Sequence, residues 1–236
     1  MFWDLARGCH IDHIAYYETP WKKQLRQLYS GQGVEWNKLT TRQVLKKQLG
    51  SYFSGVPVST HSHHLSHAAA GFQTSTFERA TVVVIDAIGE WDTISIWGAE
   101  YVDGRARYKR LWGQRYPHSI GLFYSAMTKR VGLKPNEDEY ILMGMAAYGE
   151  PKAAATMKNA FVDHEYNVDF SQNLHLGADE PFLAKHLEAD IASSAQALCE
   201  NLIYNVMLRA KSFAWSTNLV YMGGVALNCL ANRNLG

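Results

Sequence analysis

The run ATVVVIDA, at residues 80–87, is the feature that most constrains how this chain can fold. Consecutive β-branched residues favour an extended backbone, and such a run is typical of a buried strand. Residues 92–102 and 105–112 favour two more strands, and Asp103-Gly104 between them is a typical hairpin turn. The sequence therefore predicts a three-stranded meander near its centre.

Helical patterns lie on both sides of this meander. Thr40 and Gln43 have the spacing of a capping box for a helix over residues 40–49, which Gly50 would end. Residues 54–60 are expected to form an extended link, because a proline there is incompatible with a helix interior. Further helices are predicted at residues 119–132, 137–149, 188–216 and 225–235.

The last part of the chain has the order helix, strand, glycine turn and helix. An apolar strand within residues 218–224 ends at Gly223 and Gly224, and Asn228 follows in the last predicted helix. With the meander, this order predicts an α/β fold. A glycine turn before a helix suits a phosphate or a nucleoside, although most glycine pairs are only tight turns. Residues 150–187 give little signal for any element.

Composition excludes several classes of function. The 236 residues carry a formal net charge of +1, which gives no field to hold nucleic acid or an anionic membrane. Cys9, Cys199 and Cys229 are far apart and form no CxxC pair, so we expect a reducing compartment rather than a disulfide framework. No long apolar run and no secretory pattern are present, so we expect a cytoplasmic protein that does not enter a membrane.

Four of the ten histidines lie within seven positions: His61, His63, His64 and His67. We expect a helix from near Ser62, with His61 at or before its start. Helical positions i and i+4 share one face about 6 Å apart, so His63 and His67 could bind one metal ion, and His64 with His67 less well. A zinc protease would need glutamate at His64. Histidine pairs on helices can also serve packing alone.

Asp86 is expected at the end of the buried strand. A carboxylate there is unfavourable unless it is paired or bound to a metal, although it could simply cap a turn. Two histidines and one carboxylate form a set suited to Fe(II) or another divalent ion. The sequence therefore predicts a metal site made of His63, His67 and Asp86.

Several separated segments resemble, in this order, the NodU/CmcH family of O-carbamoyltransferases. They are HHLSHAAAGFQTSTFERATVVVIDAIGEWDTISIW, IGLFYSAMT, EYILMGMAAYGEP, DIASSAQALCE and VYMGGVALNCLANRNL. The resemblance covers most of residues 50–236, and residues 1–50 match only loosely. The family includes enzymes that modify nodulation factors, cephalosporins and aminoglycosides.

The resemblance implies an ASKHA domain, which is a mixed sheet flanked by helices, as in actin, Hsp70 and ribonuclease H. This domain would be similar to the tRNA threonylcarbamoyl-transfer ATPases. It implies a divalent metal, typically iron, on His63, His67 and Asp86. It also implies that Gly223, Gly224 and Asn228 lie on the nucleotide side. In the family, a YrdC-like domain makes carbamoyl-adenylate from carbamoyl phosphate and ATP. The ASKHA domain then moves the carbamoyl group to a hydroxyl of a small-molecule acceptor; the sequence identifies neither this acceptor nor the catalytic base.

The chain also departs from the family's pattern. Ala87 stands where the family has glycine, so the loop after Asp86 is expected to differ, because alanine tolerates a positive φ poorly. The family's first strand, its fourth metal ligand and its YrdC-like domain have no counterpart. We therefore expect an incomplete ASKHA domain over residues 1–236 that is inactive alone. It would act as a homo-oligomer or with a partner that carries the missing domain. The alternative is a metal- and nucleotide-binding module that has lost catalysis.

Overall fold

The computed structural model describes residues 10–50, 55–178 and 181–235. Cys9 and the start of the predicted link at residue 54 lie outside these ranges. Two compact units divide the chain: one falls within residues 1–66 and 89–91, and the other comprises residues 67–88 and 92–236. No helix in the described ranges combines the length and the apolar character needed to cross a bilayer.

A two-stranded parallel sheet and two helices form the first unit. Strand β1 (Ile14–Tyr16) pairs with β2 (Val58–Thr60), and the helices are α1 (Pro20–Tyr29) and α2 (Thr41–Leu49). Their small core consists of Tyr16, Val44 and Leu45. The pairing of β1 with β2 brings two short segments together that are separated by more than 40 residues.

The predicted capping box of α2 is confirmed. The Gln43 backbone N–H donates to Thr40 Oγ1 at 3.3 Å, and the Thr40 N–H donates to Gln43 Oε1 at 2.9 Å. Gly50 ends the helix with φ +66°, a value that glycine adopts without strain.

The second unit is built on a larger sheet. Its strands are β3 (Arg79–Gly89), β4 (Asp92–Val102), β5 (Arg105–Arg115), β6 (Val162–His164), β7 (Asp169–Phe170) and β8 (Leu219–Met222). Its helices are α3 (His63–Gln73), which begins at the end of the first unit, α4 (Ile120–Arg130), α5 (Glu139–Met145), α6 (Ala154–Phe161), α7 (Glu188–Ser212) and α8 (Cys229–Asn232). The order of strands in the main sheet is β5-β4-β3-β8, and β6 pairs with β7 separately.

The main sheet is mixed, as predicted. Strands β4 and β5 run antiparallel, whereas β3 and β8 run parallel, with Thr81 opposite Leu219. Residues from Ala80 to Ile85 are almost fully buried, which confirms the buried strand. Burying each large aliphatic side chain stabilises the fold by about 1.5–3 kcal/mol, so this strand anchors the sheet.

Helices α4 and α7 pack together and supply much of the core. Phe123 and Met127 of α4 and Leu202 and Ile203 of α7 are fully buried in one apolar cluster. On α3, Gly71 lies so close to β8 that a Cβ there would be 2.5 Å from Met222 Cγ. This close approach, available only to glycine, sets the distance between α3 and the sheet.

One predicted helix requires correction, and one stretch without a predicted element contains short helices and strands. The predicted helix over residues 225–235 is broken into a 3₁₀ turn (Gly224–Leu227), α8 and a second 3₁₀ turn (Arg233–Leu235). The break occurs because the Asn228 side chain accepts from the Ala231 N–H at 3.0 Å and so starts a new helix. Residues 150–187 contain α6, β6 and β7, which are too short to give a periodic pattern.

Candidate metal centre and nucleotide cavity

Helix α3 presents the two predicted histidine ligands on successive turns. The helix begins at His63, so His61 lies before it, and His67 follows His63 by four residues on the same face. Ala68 and Phe72 are fully buried, which fixes the rotation of the helix about its axis. Because the apolar side of α3 is committed to the core, the half-buried His63 and His67 are held on a more accessible side.

Strand β3 brings the predicted carboxylate to this helix. Asp86 Oδ2 lies 3.4 Å from His67 Nε2, while Asp86 Oδ1 accepts from the Ala87 N–H at 2.8 Å. One ligand atom each from His63, His67 and Asp86 lies within 4.8 Å of the other two. The three residues that the sequence analysis grouped as a metal site therefore lie close together in the structure.

This donor set fits a divalent ion. Ligand atoms on one side of an ion, each at about 2.0–2.2 Å from it, lie about 3–3.5 Å apart, so side-chain rotations would be needed to close the set. Two imidazole nitrogens and one carboxylate oxygen on one side of an ion leave the other positions open, a pattern typical of Fe(II) sites. All three side chains are partly exposed, so an ion can reach them.

The other two histidines of the cluster have different surroundings. His64 is 1% exposed, and its ring centroid lies 6.1 Å from that of His63. The exposed His61 lies 3.0 Å from Ser59 Oγ through its Nε2, and the same hydroxyl lies 2.8 Å from His13 Nε2. Neither His61 nor His64 is among the described residues that converge with Asp86.

The expectation that Asp86 ends its strand is wrong. Strand β3 continues to Gly89, and the positive φ falls on Glu90, at +63°, rather than on Ala87. The Ser119 hydroxyl donates to the Ala87 carbonyl at 2.7 Å, which holds this part of the chain extended. The substitution of alanine for the family's glycine is therefore accommodated without strain at that position.

The glycine turn after β8 lies directly beside Asp86. Gly223 has φ +96°, and a Cβ there would collide with the Ile85 carbonyl oxygen. A Cβ on Gly224 would lie 3.1 Å from Asp86 Oδ1. The loop can approach the carboxylate this closely only because both residues are glycine.

Asn228 is held by the core rather than by the loop alone. Its carboxamide exchanges two hydrogen bonds with Gln196 of α7, at 2.9 and 3.0 Å, and Tyr124 donates to Gln196 Oε1 at 2.8 Å. Gln196 also donates to Glu200 at 2.7 Å. This network, which nothing in the sequence pattern marked, positions the segment that follows the glycine turn.

A cavity of about 410 Å³ opens next to Asp86 and Gly224. Its wall is mostly apolar and comes from β3, α4, α5, α7 and the turn after β8, with Tyr140, Met143 and Val225 among the lining side chains. One carboxylate in the wall is fixed, since Glu139 Oε1 accepts from the Ser125 hydroxyl at 2.6 Å.

Cys199 also lines this cavity, but its thiol stays protonated. Full burial raises the pKa of the Cys199 thiol, and the nearby Glu200 carboxylate raises it further. Burial likewise raises the pKa of Tyr124. Both groups are therefore protonated at neutral pH, so Cys199 does not provide a thiolate nucleophile to the cavity.

Comparison with known proteins gives one family and several relatives. Residues 8–236 match the model of the family described as carbamoyltransferase N-terminus. An uncharacterized protein of Synechocystis sp. is 31% identical over 95% of this chain and 43% of its own length. Nodulation protein NolNO of Sinorhizobium fredii is 28% identical over 95% of this chain and 35% of its own. Nodulation protein NolO of Bradyrhizobium diazoefficiens is 27% identical over 74% of this chain. The chain spans less than half the length of these relatives.

Proposed function

Because the chain belongs to the carbamoyltransferase N-terminus family, we propose that it binds a divalent metal ion and an adenylate and acts in carbamoyl transfer. The carbamoyl group would come from carbamoyl-adenylate, itself made from carbamoyl phosphate and ATP, and would pass to a hydroxyl of a small-molecule acceptor. The observation that carries this proposal is the convergence of His63, His67 and Asp86 beside a cavity bounded by Gly224.

The chain's own residues would hold the ion as follows. His63 and His67 would each donate one ring nitrogen, and Asp86 would donate Oδ2, since its Oδ1 already accepts from Ala87. A bound divalent ion, Fe(II) in this proposal, supplies a Lewis acid for negative charge that develops on carbonyl or phosphate oxygens. The coordination positions not taken by the three side chains would leave room for such oxygens.

The cavity suits the adenylate. Its volume of about 410 Å³ lies within the range of about 300–1,000 Å³ that is common for small-molecule sites. Gly224 leaves backbone accessible to a phosphate next to the metal ligands, and the turn that follows begins helical structure. Met143 and Val225 offer apolar contact to a flat base, and the Glu139 carboxylate offers an acceptor for a hydroxyl group.

On this proposal the mixed sheet with its flanking helices is an ASKHA-type arrangement, and the protein works in the cytoplasm. Cys199 and Cys229 are both free thiols, which fits a reducing compartment. The partners would be the adenylate and the acceptor, with no nucleic acid and no membrane involved. The alternative is a module that binds metal and nucleotide without catalysis, and it differs in predicting binding but no transfer.

A titration with AMP tests the binding half of the proposal. The wild-type chain, loaded with Co(II) as a stable substitute for Fe(II), should bind AMP, as measured by isothermal titration calorimetry. Gly224→Leu should abolish this binding, because the side chain would fill the cavity next to Asp86. Gly144→Leu is the matched control, since Gly144 has open space around its Cα. Equal AMP binding by both variants, or none by the metal-loaded wild type, would overturn the adenylate assignment.

A further inference from the structure

The turn between β3 and β4 is held in an unusual conformation. Glu90 occupies positive φ, which is unfavourable for a residue with a side chain. Its buried carboxylate accepts from the Thr19 N–H at 2.5 Å, at the start of α1, and lies 3.9 Å from Lys22 Nζ. These contacts fix the turn, and they fix Gly89 immediately before it.

Gly89 lies against two imidazole rings. A Cβ built on Gly89 would lie 2.5 Å from His64 Cδ2 and 2.6 Å from His63 Cδ2. Contacts this short do not occur in real structures, so an alanine here would force one ring to move. Gly89 itself does not have a positive φ, so its backbone accepts an L-residue. The absence of a side chain is therefore required by the two rings and not by the turn.

An alanine here would press on both rings, and the His63 ring has more room to move. His64 is 1% exposed and tightly packed, whereas His63 is only half-buried. The Tyr17 ring contacts His63 edge-on, with centroids 5.5 Å apart. The Tyr17 carbonyl also accepts from the Ser66 hydroxyl at 3.2 Å, which ties it to the first turn of α3. Gly89 and Tyr17 are thus two separate contacts that restrict the His63 imidazole.

We infer that Gly89 and Tyr17 are positioning residues that hold the His63 imidazole in the orientation needed to bind the metal. This inference rests on the proposed metal site. Neither residue offers a ligand atom; both act through His63. Changes to groups that orient metal ligands typically weaken metal binding by about 10–100-fold, which sets the expected size of the effect.

Co(II) titration of the full chain tests this inference, with the dissociation constant and the visible d–d absorption as readouts. Gly89→Ala should weaken Co(II) binding at least about tenfold and change the d–d bands, because one imidazole leaves the coordination shell. Because the added methyl group also meets the buried His64 ring, the thermal midpoint of the metal-free variant should fall, and Co(II) binding is therefore measured at a temperature at which this variant is folded. Gly144→Ala is the control, because its added methyl group meets nothing within 4 Å.

Tyr17→Leu removes the other contact to the His63 ring, so the test does not depend on Gly89→Ala alone. Tyr17 is 51% exposed, so its replacement leaves the core intact, and we expect weaker Co(II) binding together with altered d–d bands. If the wild type binds Co(II) but both variants bind it with unchanged affinity and spectrum, the positioning role is wrong. If the wild type binds no Co(II), the metal site itself is wrong, which is a different result.

Discussion

The two carboxylate oxygens of Asp86 contact different parts of the structure. Its Oδ1 accepts from the next backbone N–H and faces Gly224, while its Oδ2 faces His67. A carboxylate fixed in this way has one oxygen already oriented toward the proposed ion. The residue thereby connects the proposed metal ligands to the adjacent cavity.

Replacing one histidine ligand should remove most of the metal affinity. We expect His67→Ala to weaken Co(II) binding by at least about 100-fold, because two ligands remain where three converged. His61→Ala is the matched control, since His61 belongs to the same histidine run but is exposed and bonded to Ser59. Isothermal titration calorimetry measures both. Comparable losses in the two variants would mean that the run binds metal nonspecifically.

The proximity of the three proposed metal ligands could be predicted from the sequence, but the contacts of the residues around them could not. The i, i+4 spacing places His63 and His67 on one face whatever the rest of the chain does. The importance of Gly89 depends on the packing of two rings against its Cα, and that of Gln196 on contact with a segment 32 residues away. No local pattern encodes such contacts.

Among the elements, those with a clear pattern of residues were predictable and those without one were not. The sequence located β4 and the start of α7 correctly, since their patterns extend over many residues. The sequence analysis predicted no helix where α1 lies and did not predict which strand pairs with β2. In α1 the polar Gln24 and Arg26 are buried while Trp21, Leu25 and Tyr29 are exposed, which reverses the usual helical pattern.

The glycine turn after β8 should tolerate no side chain at its first position. At positive φ, alanine costs about 1–2 kcal/mol, and at Gly223 it would also collide with the Ile85 carbonyl. We expect Gly223→Ala to lower the free energy of unfolding by at least about 3 kcal/mol, as measured by urea denaturation. Gly104→Ala separates the two effects, since Gly104 has φ +71° but open space, and it should cost only about 1–2 kcal/mol. Equal losses would show that the collision is absent.

The start of α7 holds the loop before α6 through Asp190. The Glu150 N–H donates to Asp190 Oδ1 at 2.9 Å, and this bond, together with Lys152, lowers the pKa of Asp190. A carboxyl whose pKa is lower in the folded state stabilises the fold above its unfolded pKa of about 4. That stabilisation is lost as the pH falls through the lower, folded pKa.

Asp190→Asn should therefore reduce stability at neutral pH more than in acid. We expect a lower thermal midpoint at pH 7, with the difference from wild type shrinking as the pH falls below about 4. Asp163→Asn is the control, because Asp163 is exposed on β6 and should change little at either pH. Calorimetry across this pH range measures the effect. A difference that stays constant from pH 7 to pH 2 would contradict the role given to the Asp190 charge.

For the whole molecule, a metal bound between α3 and β3 should raise thermal stability. A ligand at 100 times its dissociation constant stabilises the native state by about 2.7 kcal/mol, which for a chain of this size corresponds to about 5–10 °C. We expect this rise with Co(II) in the wild type and in His61→Ala. In Asp86→Asn, the rise should be much smaller at the same Co(II) concentration. A full rise in that variant would place the ion elsewhere.

The most direct test of the central claim is anomalous diffraction at the cobalt edge from crystals grown with Co(II). The account predicts one strong peak within about 2.0–2.3 Å of a ring nitrogen of His63, a ring nitrogen of His67 and a carboxylate oxygen of Asp86. A strong peak at other residues, with none near Asp86, would contradict it.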